Sequence, residues 1–333
     1  METVFTRHTG VEVPLICGPM YPCSNPELVA AVSDAGGLGV VQPLSLTYVH
    51  GHELRAGLRY IRSLTAKSIG FNALIEGNNK TYLNRMRLWI DVALEERVRF
   101  FITSLGNPRW VCERVHAAGG VVYHDVTERK WAEKAVDGGV DGLIAVNARA
   151  GGHAGSRSPE ALFEELAPFG KPVVSAGGVG TPQEFAQQLR LGYAAVQLGT
   201  RFIATPECKA STAYKQAIVA AGEHDVVLTE RLTGVPVAVI RNAYIERLGT
   251  KAGPLARWLL KGRKTKHWVR TWYALKSVRR LKRSLMSDDT SNEYWQAGKS
   301  VAGIREIAPA AQIVREFAAA LSHETERGRR GVP

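Results

Sequence analysis

The sequence predicts an α/β protein built as a closed barrel of eight strand–helix units, with a mostly helical elaboration near the barrel mouth. Eight short apolar runs rich in β-branched residues occur in the first two-thirds of the 333 residues. Each run is followed by a glycine or polar break and a helical stretch. The apolar character of the runs is continuous rather than alternating, which is typical of strands buried on both faces of a parallel sheet. An open, doubly wound sheet rarely needs eight consecutive units. The count therefore favours the (β/α)8 fold, known as the TIM barrel.

The predicted strands recur at intervals that suit one strand–helix unit. They span residues 14–17, 38–41, 69–74, 100–103, 120–124, 142–146, 172–176 and 194–198. Helices are predicted between them from their start signals. Asn25-Pro26 supplies an N-cap and a first-turn proline, and Thr181-Pro182 repeats the pattern. A further helix is predicted over residues 127–136, before a pair of glycines.

The strand–helix rhythm changes after residue 205, and we expect three parts. Residues 1–205 form the barrel, residues 206–290 form the elaboration over its mouth, and residues 291–325 close the fold against the barrel. A final helix is predicted over residues 308–323, with an apolar face made of Ile313, Val314, Phe317 and Leu321.

Composition sets the broad class of protein. Hydrophobic residues make up 45% and charged residues 22% of the chain, so it can bury a sizeable core. The four cysteines are scattered, with no zinc-type spacing, so neither a metal site nor a disulfide framework is expected. Residues 1–9 contain no apolar stretch and no run is long enough to span a bilayer, so the expected compartment is the cytoplasm.

Polar residues and glycines follow the carboxyl ends of the predicted strands, where barrels of this class place their functional sites. Glycine-rich turns follow predicted strands seven and eight, and their backbone N–H groups can converge on a phosphate. Tight turns without a ligand would use the same glycines. The candidate residues are Pro19, Met20, Tyr21, Asn72, Asp125, Gly151, His153, Ala176, Gly177, Gly178, Gly199 and Thr200.

His153 is the candidate catalytic residue. It lies in a loop with Gly151 and Gly152 before it and Gly155 after it. Such an accessible setting suits a general base, because an imidazole titrates near neutral pH. A surface-loop histidine with no catalytic role fits the same spacing, so the residues alone leave both interpretations open.

With these residues in place, the chain resembles the nitronate monooxygenase family, formerly called 2-nitropropane dioxygenases. The resemblance runs from about residue 14 to residue 208 and resumes over residues 294–298. Each matching motif is modest alone, but the set is specific in this order. The motifs are Gly18-Pro19-Met20, Ala35-Gly36-Gly37-Leu38-Gly39, Gly70-Phe71-Asn72, Ala150-Gly151-Gly152-His153-Ala154-Gly155, Ser175-Ala176-Gly177-Gly178-Val179 and Gln197-Leu198-Gly199-Thr200-Arg201-Phe202.

The resemblance implies that flavin mononucleotide (FMN) is bound in the barrel. It implies a phosphate held by the turns after strands seven and eight, the isoalloxazine ring near Pro19, Met20 and Asn72, and His153 beside the flavin. The chain departs from the family pattern at three places, which bear on the substrate. They are Asn147-Ala148-Arg149, where many relatives have Gly-x-Glu, Lys299, where glutamine is common, and Asp125, where some quinone-reducing members have lysine.

Similar sequences include oxygen-using nitronate oxidisers, NADH:quinone reductases and flavin-dependent enoyl-acyl-carrier-protein reductases. The cofactor therefore follows from the resemblance more directly than the reaction does. We expect an FMN-dependent oxidoreductase whose leading reaction is the oxidation of alkyl nitronates by O2. One alternative is NAD(P)H-dependent reduction of an enoyl thioester or a quinone. Another, of a different class, is a non-catalytic interaction module that binds a phosphorylated ligand.

A basic segment within residues 255–285 supplies nearly all of the net charge of +12. Residues 257–283 contain eleven Lys or Arg and no Asp or Glu, interleaved with tryptophans such as Trp268 and Trp272. A basic amphipathic helix with tryptophan suits an anionic membrane surface or an acidic carrier protein. A solvated cap over the barrel fits the same composition. Nucleic acid fits on charge alone, but a redox barrel gives it no role.

Overall fold

Eight parallel strands close into a barrel in the computed structural model, which describes residues 2–75, 80–232, 235–251 and 293–330. Each strand pairs with the next along the chain, and the eighth pairs with the first. The strands are β1 (Leu15–Cys17), β2 (Leu38–Val41), β3 (Ile69–Leu74), β4 (Phe100–Ser104), β5 (Val121–Val126), β6 (Gly142–Val146), β7 (Val173–Ala176) and β8 (Ala195–Leu198). The predicted (β/α)8 barrel is confirmed, and each predicted strand matches an observed one to within two residues at either end.

Helices alternate with these strands and surround the barrel. They are α1 (Val4–Thr9), α2 (Pro26–Asp34), α3 (Leu54–Leu64), α4 (Lys80–Glu95), α5 (Arg109–Ala117), α6 (Arg129–Asp137), α7 (Pro159–Leu166), α8 (Pro182–Arg190), α9 (Thr200–Ile203), α10 (Thr212–Ala220), α11 (Ala243–Leu248) and α12 (Ala310–Arg330). A π-helical turn, Ser45–Val49, follows β2, and 3-10 turns occupy Ala167–Phe169, Glu223–Asp225 and Lys299–Gly303. Asn25 occupies the N-cap position before Pro26, but its side chain makes no capping hydrogen bond, because its Oδ1 accepts from Lys209 N–H at 3.1 Å instead. At α8 the predicted cap is confirmed, and Thr181 forms a reciprocal capping box with Glu184.

Side chains along each strand alternate between the barrel interior and the layer beneath the helices. On β5, Tyr123 packs in the interior core, whereas Val122 and Val126 pack in the outer layer. The same alternation directs Asp125 into the interior at the carboxyl end of the strand. That end, called the mouth below, is where the candidate site lies.

The short helix α1 closes the amino-terminal end of the barrel. Phe5 is fully buried among the interior residues, and its ring makes edge contacts with those of Phe100 and Tyr123. His8, on the same helix, hydrogen-bonds through Nδ1 to the Tyr123 hydroxyl at 3.1 Å. Within the described residues, the barrel is therefore a packed core at this end.

The elaboration that follows the barrel contributes a hairpin to the mouth. Strands β9 (Val226–Thr229) and β10 (Val237–Ile240) pair antiparallel. Ala238 N–H donates to Gly152 O at 2.8 Å, and Ile240 N–H donates to Trp295 O at 2.9 Å. The hairpin therefore joins the loop after β6 to the chain before α12. The basic segment at 257–283 lies outside the described residues, and the boundaries at 205 and 290 stay predictions.

The closing helix α12 packs between α2 and α8. Ile313, Val314 and Phe317 are buried there, and Leu321 is partly buried against the same core, as the predicted apolar face requires. No helix in the described part of the chain is long and apolar enough to cross a membrane.

Candidate active site

A polar layer lines the interior of the barrel at the mouth. Ala195 packs in the interior core, so the next inward position on β8 is Gln197. Asp125 takes the equivalent place on β5. Asn72, on β3, is buried, and its amide donates to Ile102 O on β4 at 3.2 Å. Three strands therefore each place one polar side chain above an otherwise apolar barrel core.

Two atoms of this layer lack hydrogen-bond partners. Among the described residues, nothing donates to Asp125 Oδ1 or Gln197 Oε1, although both atoms are buried. Part of Asp125 remains accessible, yet burial of the carboxyl raises its pKa to about 7. Buried polar atoms normally have partners, so these two indicate that the layer receives a polar ligand. Near neutral pH the Asp125 carboxyl can both donate and accept a hydrogen bond.

The loop after β1 borders this layer on one side. Pro19, Met20 and Tyr21 are half-buried, and a cis peptide bond joins Tyr21 to Pro22. Ser24 Oγ accepts from Met20 N–H at 2.8 Å, which fixes the loop backbone. A Cβ on Gly199 would lie 3.5 Å from Met20 Sδ. The loop after β1 therefore meets the turn after β8.

The turn after β7 has a backbone that only glycine adopts without strain. Gly177 and Gly178 have φ values of 120° and 82°, and an added Cβ would collide with the loop after β6 in both cases. Buried Asn147 holds the two segments together. Its side chain donates to Gly177 O at 3.0 Å and accepts from Arg149 N–H at 2.8 Å. The turn beside Ala176 is therefore fixed by a side chain from the first residue after β6.

The turn after β8 is held by the segment that precedes α12. Thr200 is buried, and its hydroxyl accepts from Gly298 N–H at 3.0 Å, which leaves its own O–H free to donate. Gly298 also packs directly on Gly151, where a Cβ would lie 2.8 Å from Gly298 N. Lys299 N–H donates to Arg149 O at 2.9 Å. The loops after β6 and β8 are thus joined through residues 298–299.

Each glycine turn carries a backbone N–H group that makes no hydrogen bond within the described part of the chain. Among the described residues, no acceptor hydrogen-bonds to the N–H groups of Gly178 or Gly199. An anionic group such as a phosphate would satisfy them. Together with the polar layer and its two partnerless atoms, these donors fit FMN, which has a phosphate at one end and a ring with N–H and carbonyl groups at the other.

His153 and His124 differ in position and in surroundings. The His153 side chain is exposed at the mouth, and no described residue hydrogen-bonds to its ring. Although part of His153 remains accessible to solvent, the protein around the ring desolvates it and lowers its pKa. His124 faces the outer layer instead, where it hydrogen-bonds Thr103 Oγ1 at 2.8 Å and burial lowers its pKa to about 4. His124 is thus a core residue, and His153 alone of the two can meet a substrate.

Two cations and one carboxylate meet beside the turn after β7. Arg149 and Lys299 both contact Glu223 Oε1, at 3.1 and 3.2 Å. Partial burial would raise the pKa of Glu223, but the contacts with Lys299 and Arg149 outweigh it and lower the pKa. The cluster carries a net positive charge at the rim of the site.

All twelve candidate residues lie at the mouth, and the structure adds four that the sequence did not single out for the site. Gln197 could have been found as a polar residue inside an apolar strand. Asn147 and Gly298 lie in segments that the resemblance points to, but their roles, like that of Glu223, depend on contacts between distant segments that the sequence does not show. Within the described ranges, no group of three or more His, Cys, Asp or Glu side chains could hold a metal ion.

Comparison with known proteins gives a consistent family. The family model described as nitronate monooxygenase matches residues 2–319. A nitronate monooxygenase from Pseudomonas aeruginosa is 31% identical, over 70% of this chain and 78% of that protein. A Mycobacterium tuberculosis protein is 30% identical, over 77% of this chain and 70% of that protein. Its name is (3aS,4S,5R,7aS)-5-hydroxy-7a-methyl-1-oxo-octahydro-1H-indene-4-carboxyl-CoA dehydrogenase.

Solved structures share the architecture over the full length. FabK from Thermotoga maritima superposes with a TM-score of 0.80 at 27% identity and covers 100% of both chains. A nitroalkane oxidase from Streptomyces ansochromogenes has a TM-score of 0.77 at 23% identity, covering 97% of this chain and 99% of that one, which supports the fold.

Proposed function

This chain belongs to the nitronate monooxygenase family of FMN-dependent oxidoreductases, and on that premise we propose that it oxidises alkyl nitronates with O2. The proposal rests on the combination of groups that lie at the mouth. The mouth combines backbone donors for a phosphate, a polar layer with two atoms that have no partner among the described residues, and the accessible His153. Because the family is one of enzymes, a non-catalytic ligand-binding module is set aside.

The residues divide by the part of FMN that they would hold. We assign the phosphate to Gly177, Gly178, Gly199 and Thr200, with Ala176 and Gly151 shaping the turns around them. The ring is assigned to the loop Pro19, Met20 and Tyr21 and to the polar layer of Asn72, Asp125 and Gln197. When bound, FMN accepts two electrons from the substrate and passes them to oxygen.

His153 binds and orients the substrate in this proposal. A nitronate is an anion, and the imidazole N–H can donate a hydrogen bond to its nitro oxygens. With a neutral nitroalkane, the same ring takes the α-proton as a general base. Desolvation lowers the pKa of His153, so the neutral base persists at a lower pH than for a free histidine. The acidic limb of kcat/KM for a nitroalkane should therefore lie below the range of an ordinary histidine.

Anaerobic reduction of the bound flavin tests the reaction class. The purified protein is mixed in turn with an alkyl nitronate, NADH and NADPH, and flavin bleaching is followed at 450 nm. The proposal expects rapid bleaching with the nitronate and recovery of the colour when air is admitted. Bleaching by NADH or NADPH without bleaching by the nitronate would contradict it.

Substitution of His153 tests the assigned role. His153→Ala should lower nitroalkane turnover by about a hundredfold or more, the usual size of a general-base contribution, and leave FMN bound. His124→Asn is the comparison, because that ring faces the outer layer. Unchanged turnover in His153→Ala would remove the histidine from the mechanism, and loss of FMN would make its role structural.

Flavin-dependent chemistry on an acyl thioester is the second candidate function. The observation that favours it is the 30% identity to a carboxyl-CoA dehydrogenase over 77% of this chain. The enoyl thioester reductases expected from the resemblance saturate a C=C bond by adding a hydride to Cβ and a proton to Cα, with NAD(P)H as the source of the hydride. Reduction of the flavin by NAD(P)H, followed by reoxidation with an enoyl-CoA, would favour this function over nitronate oxidation.

A partner surface is proposed for the basic segment at 257–283 on its composition. Eleven cations without an acidic residue attract an anionic surface at long range, and tryptophans add short-range contact. Co-sedimentation with anionic and neutral vesicles, beside a pull-down on an acyl carrier protein, tests it at low and high salt. Reversal of Arg279, Arg280, Lys282 and Arg283 to Glu should abolish the association and spare activity on a small substrate. No association at low salt would leave a solvated cap.

A further inference from the structure

Arg149 and Lys299 share one counter-ion and are tied to each other through the backbone. Arg149 Nη1 lies 3.1 Å from Glu223 Oε1, and Lys299 Nζ lies 3.2 Å from the same oxygen. Lys299 N–H donates to Arg149 O at 2.9 Å. Each of the three side chains is between 31% and 42% exposed, so an incoming ligand can reach the cluster. Two positive charges thus face one negative charge at a solvent-accessible rim.

The cluster lies over the turn that presents free backbone donors. A Cβ on Gly178 would be 2.4 Å from Arg149 Nε and 2.6 Å from Arg149 Cβ, so the arginine side chain crosses that glycine directly. On the other side, Gly298, which precedes Lys299, donates to Thr200 Oγ1 in the turn after β8. Arg149 therefore borders the turn after β7, and Lys299 directly follows the residue bound to the turn after β8. Both turns carry an N–H group with no acceptor among the described residues.

We propose that Arg149 and Lys299 bind the phosphate monoester of FMN, and that Glu223 is a counter-ion which the phosphate displaces. A phosphate monoester carries more negative charge than a carboxylate and offers three acceptor oxygens. It satisfies a guanidinium, an ammonium and backbone N–H groups together, whereas the single Glu223 oxygen is shared by both cations. This inference rests on the FMN dependence of the proposed function and adds the side chains that select the phosphate.

Comparison of FMN with riboflavin isolates the phosphate, because riboflavin has the same ring and lacks that group. Flavin is removed from the full-length protein, and each ligand is titrated back by fluorescence quenching. Arg149→Met keeps the aliphatic stem over Gly178 and removes the charge. It should weaken FMN binding by about tenfold to a hundredfold, the size of a charge-assisted hydrogen bond, and change riboflavin binding by less than about twofold. Lys299→Gln should weaken FMN binding less, and also selectively.

Arg157→Met is the matched control. Arg157 lies in the same loop after β6 and pairs with Glu165 at 3.3 Å, but it does not cross the glycine turn. The Arg157→Met variant loses the same charge as Arg149→Met and should keep the preference of the wild-type protein for FMN over riboflavin. Thermal melting of each flavin-free variant checks that the fold is intact.

Glu223→Gln tests the counter-ion, because glutamine keeps an acceptor oxygen and removes the charge. Binding of FMN should become severalfold tighter and more sensitive to salt, with riboflavin unchanged. Weaker FMN binding in this variant would overturn the displacement.

The remaining outcomes separate this inference from the cofactor assignment. If Arg149→Met keeps the wild-type preference for FMN, the phosphate role fails and the cofactor stands. If it keeps that preference but raises KM for an enoyl-CoA, the cations serve a substrate phosphate and the inference is wrong. If the wild-type protein binds neither flavin, the cofactor assignment itself fails.

Discussion

Asp125→Asn should stabilise the flavin-free protein, and only at neutral and alkaline pH. The Asp125 carboxyl is the buried titratable group of the polar layer, and nothing among the described residues donates to its Oδ1. Desolvation raises its pKa to about 7 in the folded chain, whereas the unfolded chain has an ordinary aspartate. The folded state therefore binds a proton that the unfolded state has released between these two pKa values. Folding stability falls as pH rises through that window and levels off above it.

The size of the effect follows from the shift. The pKa moves from 3.8 to about 7. At about 1.4 kcal/mol per pKa unit, the ionised carboxyl would cost at most about 4 kcal/mol. Part of the side chain remains accessible and water can relax around it, so we expect about 1–3 kcal/mol at pH 8. For a chain of this length, unfolding entropy makes 1 kcal/mol worth about 1.5 °C in melting temperature.

Thermal melts of flavin-free wild-type and Asp125→Asn protein, at pH values from 4 to 8.5, measure the difference. The two curves should coincide near pH 4, diverge steadily up to pH 7, and stay about 1.5–4.5 °C apart above it, with the variant higher. Asp137→Asn, at the exposed end of α6, should show no such divergence because its carboxylate stays solvated. A variant that melts at or below the wild-type temperature at pH 8 would show that the carboxyl is not desolvated.

Three further substitutions test the scaffold around the site. Asn147→Ala leaves Gly177 O and Arg149 N–H without partners and should cost about 1–3 kcal/mol in urea unfolding, with weaker FMN binding; an unchanged midpoint would contradict its linking role. Gly178→Ala forces a side chain onto a φ of 82° beside Arg149, so apparent FMN affinity should fall at least tenfold by fluorescence titration, and full retention of FMN would count against the phosphate turn. Phe5→Ala opens the closed end of the barrel and should cost about 3–5 kcal/mol in urea unfolding while FMN binding persists at low denaturant.

The barrel could be predicted from the sequence because its strands are mostly apolar and show no regular alternation with polar residues. A strand buried on both faces lacks the alternation of apolar and polar residues seen in sheets with one exposed face. The length of the apolar run therefore indicates the extent of the strand. The helix α1 escaped prediction, since six residues hold too little periodicity to be recognised. Its importance comes from Phe5, whose fully buried position depends on strands β4 and β5.

The sequence could predict only those site residues that lie at the carboxyl ends of the strands. Glycine turns and His153 stand at positions that the barrel topology alone brings together. The ion pairs with Glu223 could not be predicted from the sequence. Arg149, Glu223 and Lys299 are far apart in the chain, and the fold of the closing segment brings Lys299 to the other two. Arg149 and Lys299 are also places where the chain departs from the family pattern. The fold therefore brings these two departures from the family pattern together in one ion-pair cluster with Glu223.

Polarity along the barrel axis accounts for both stability and function. On β5, the interior positions run from Tyr123 in the core to Asp125 at the mouth, and on β8 they run from Ala195 to Gln197. Phe5 seals the apolar end, so substitution there removes packing and lowers stability. Asp125 sits at the polar end, where burial of a charge opposes folding, so its neutral replacement should raise stability. At pH 8, Phe5→Ala should therefore lower the free energy of unfolding, whereas Asp125→Asn should raise it. This difference would show that the two ends of the barrel contribute differently to stability. The closed end holds the fold together, and the mouth retains groups that a bound ligand, rather than the folded chain, must satisfy.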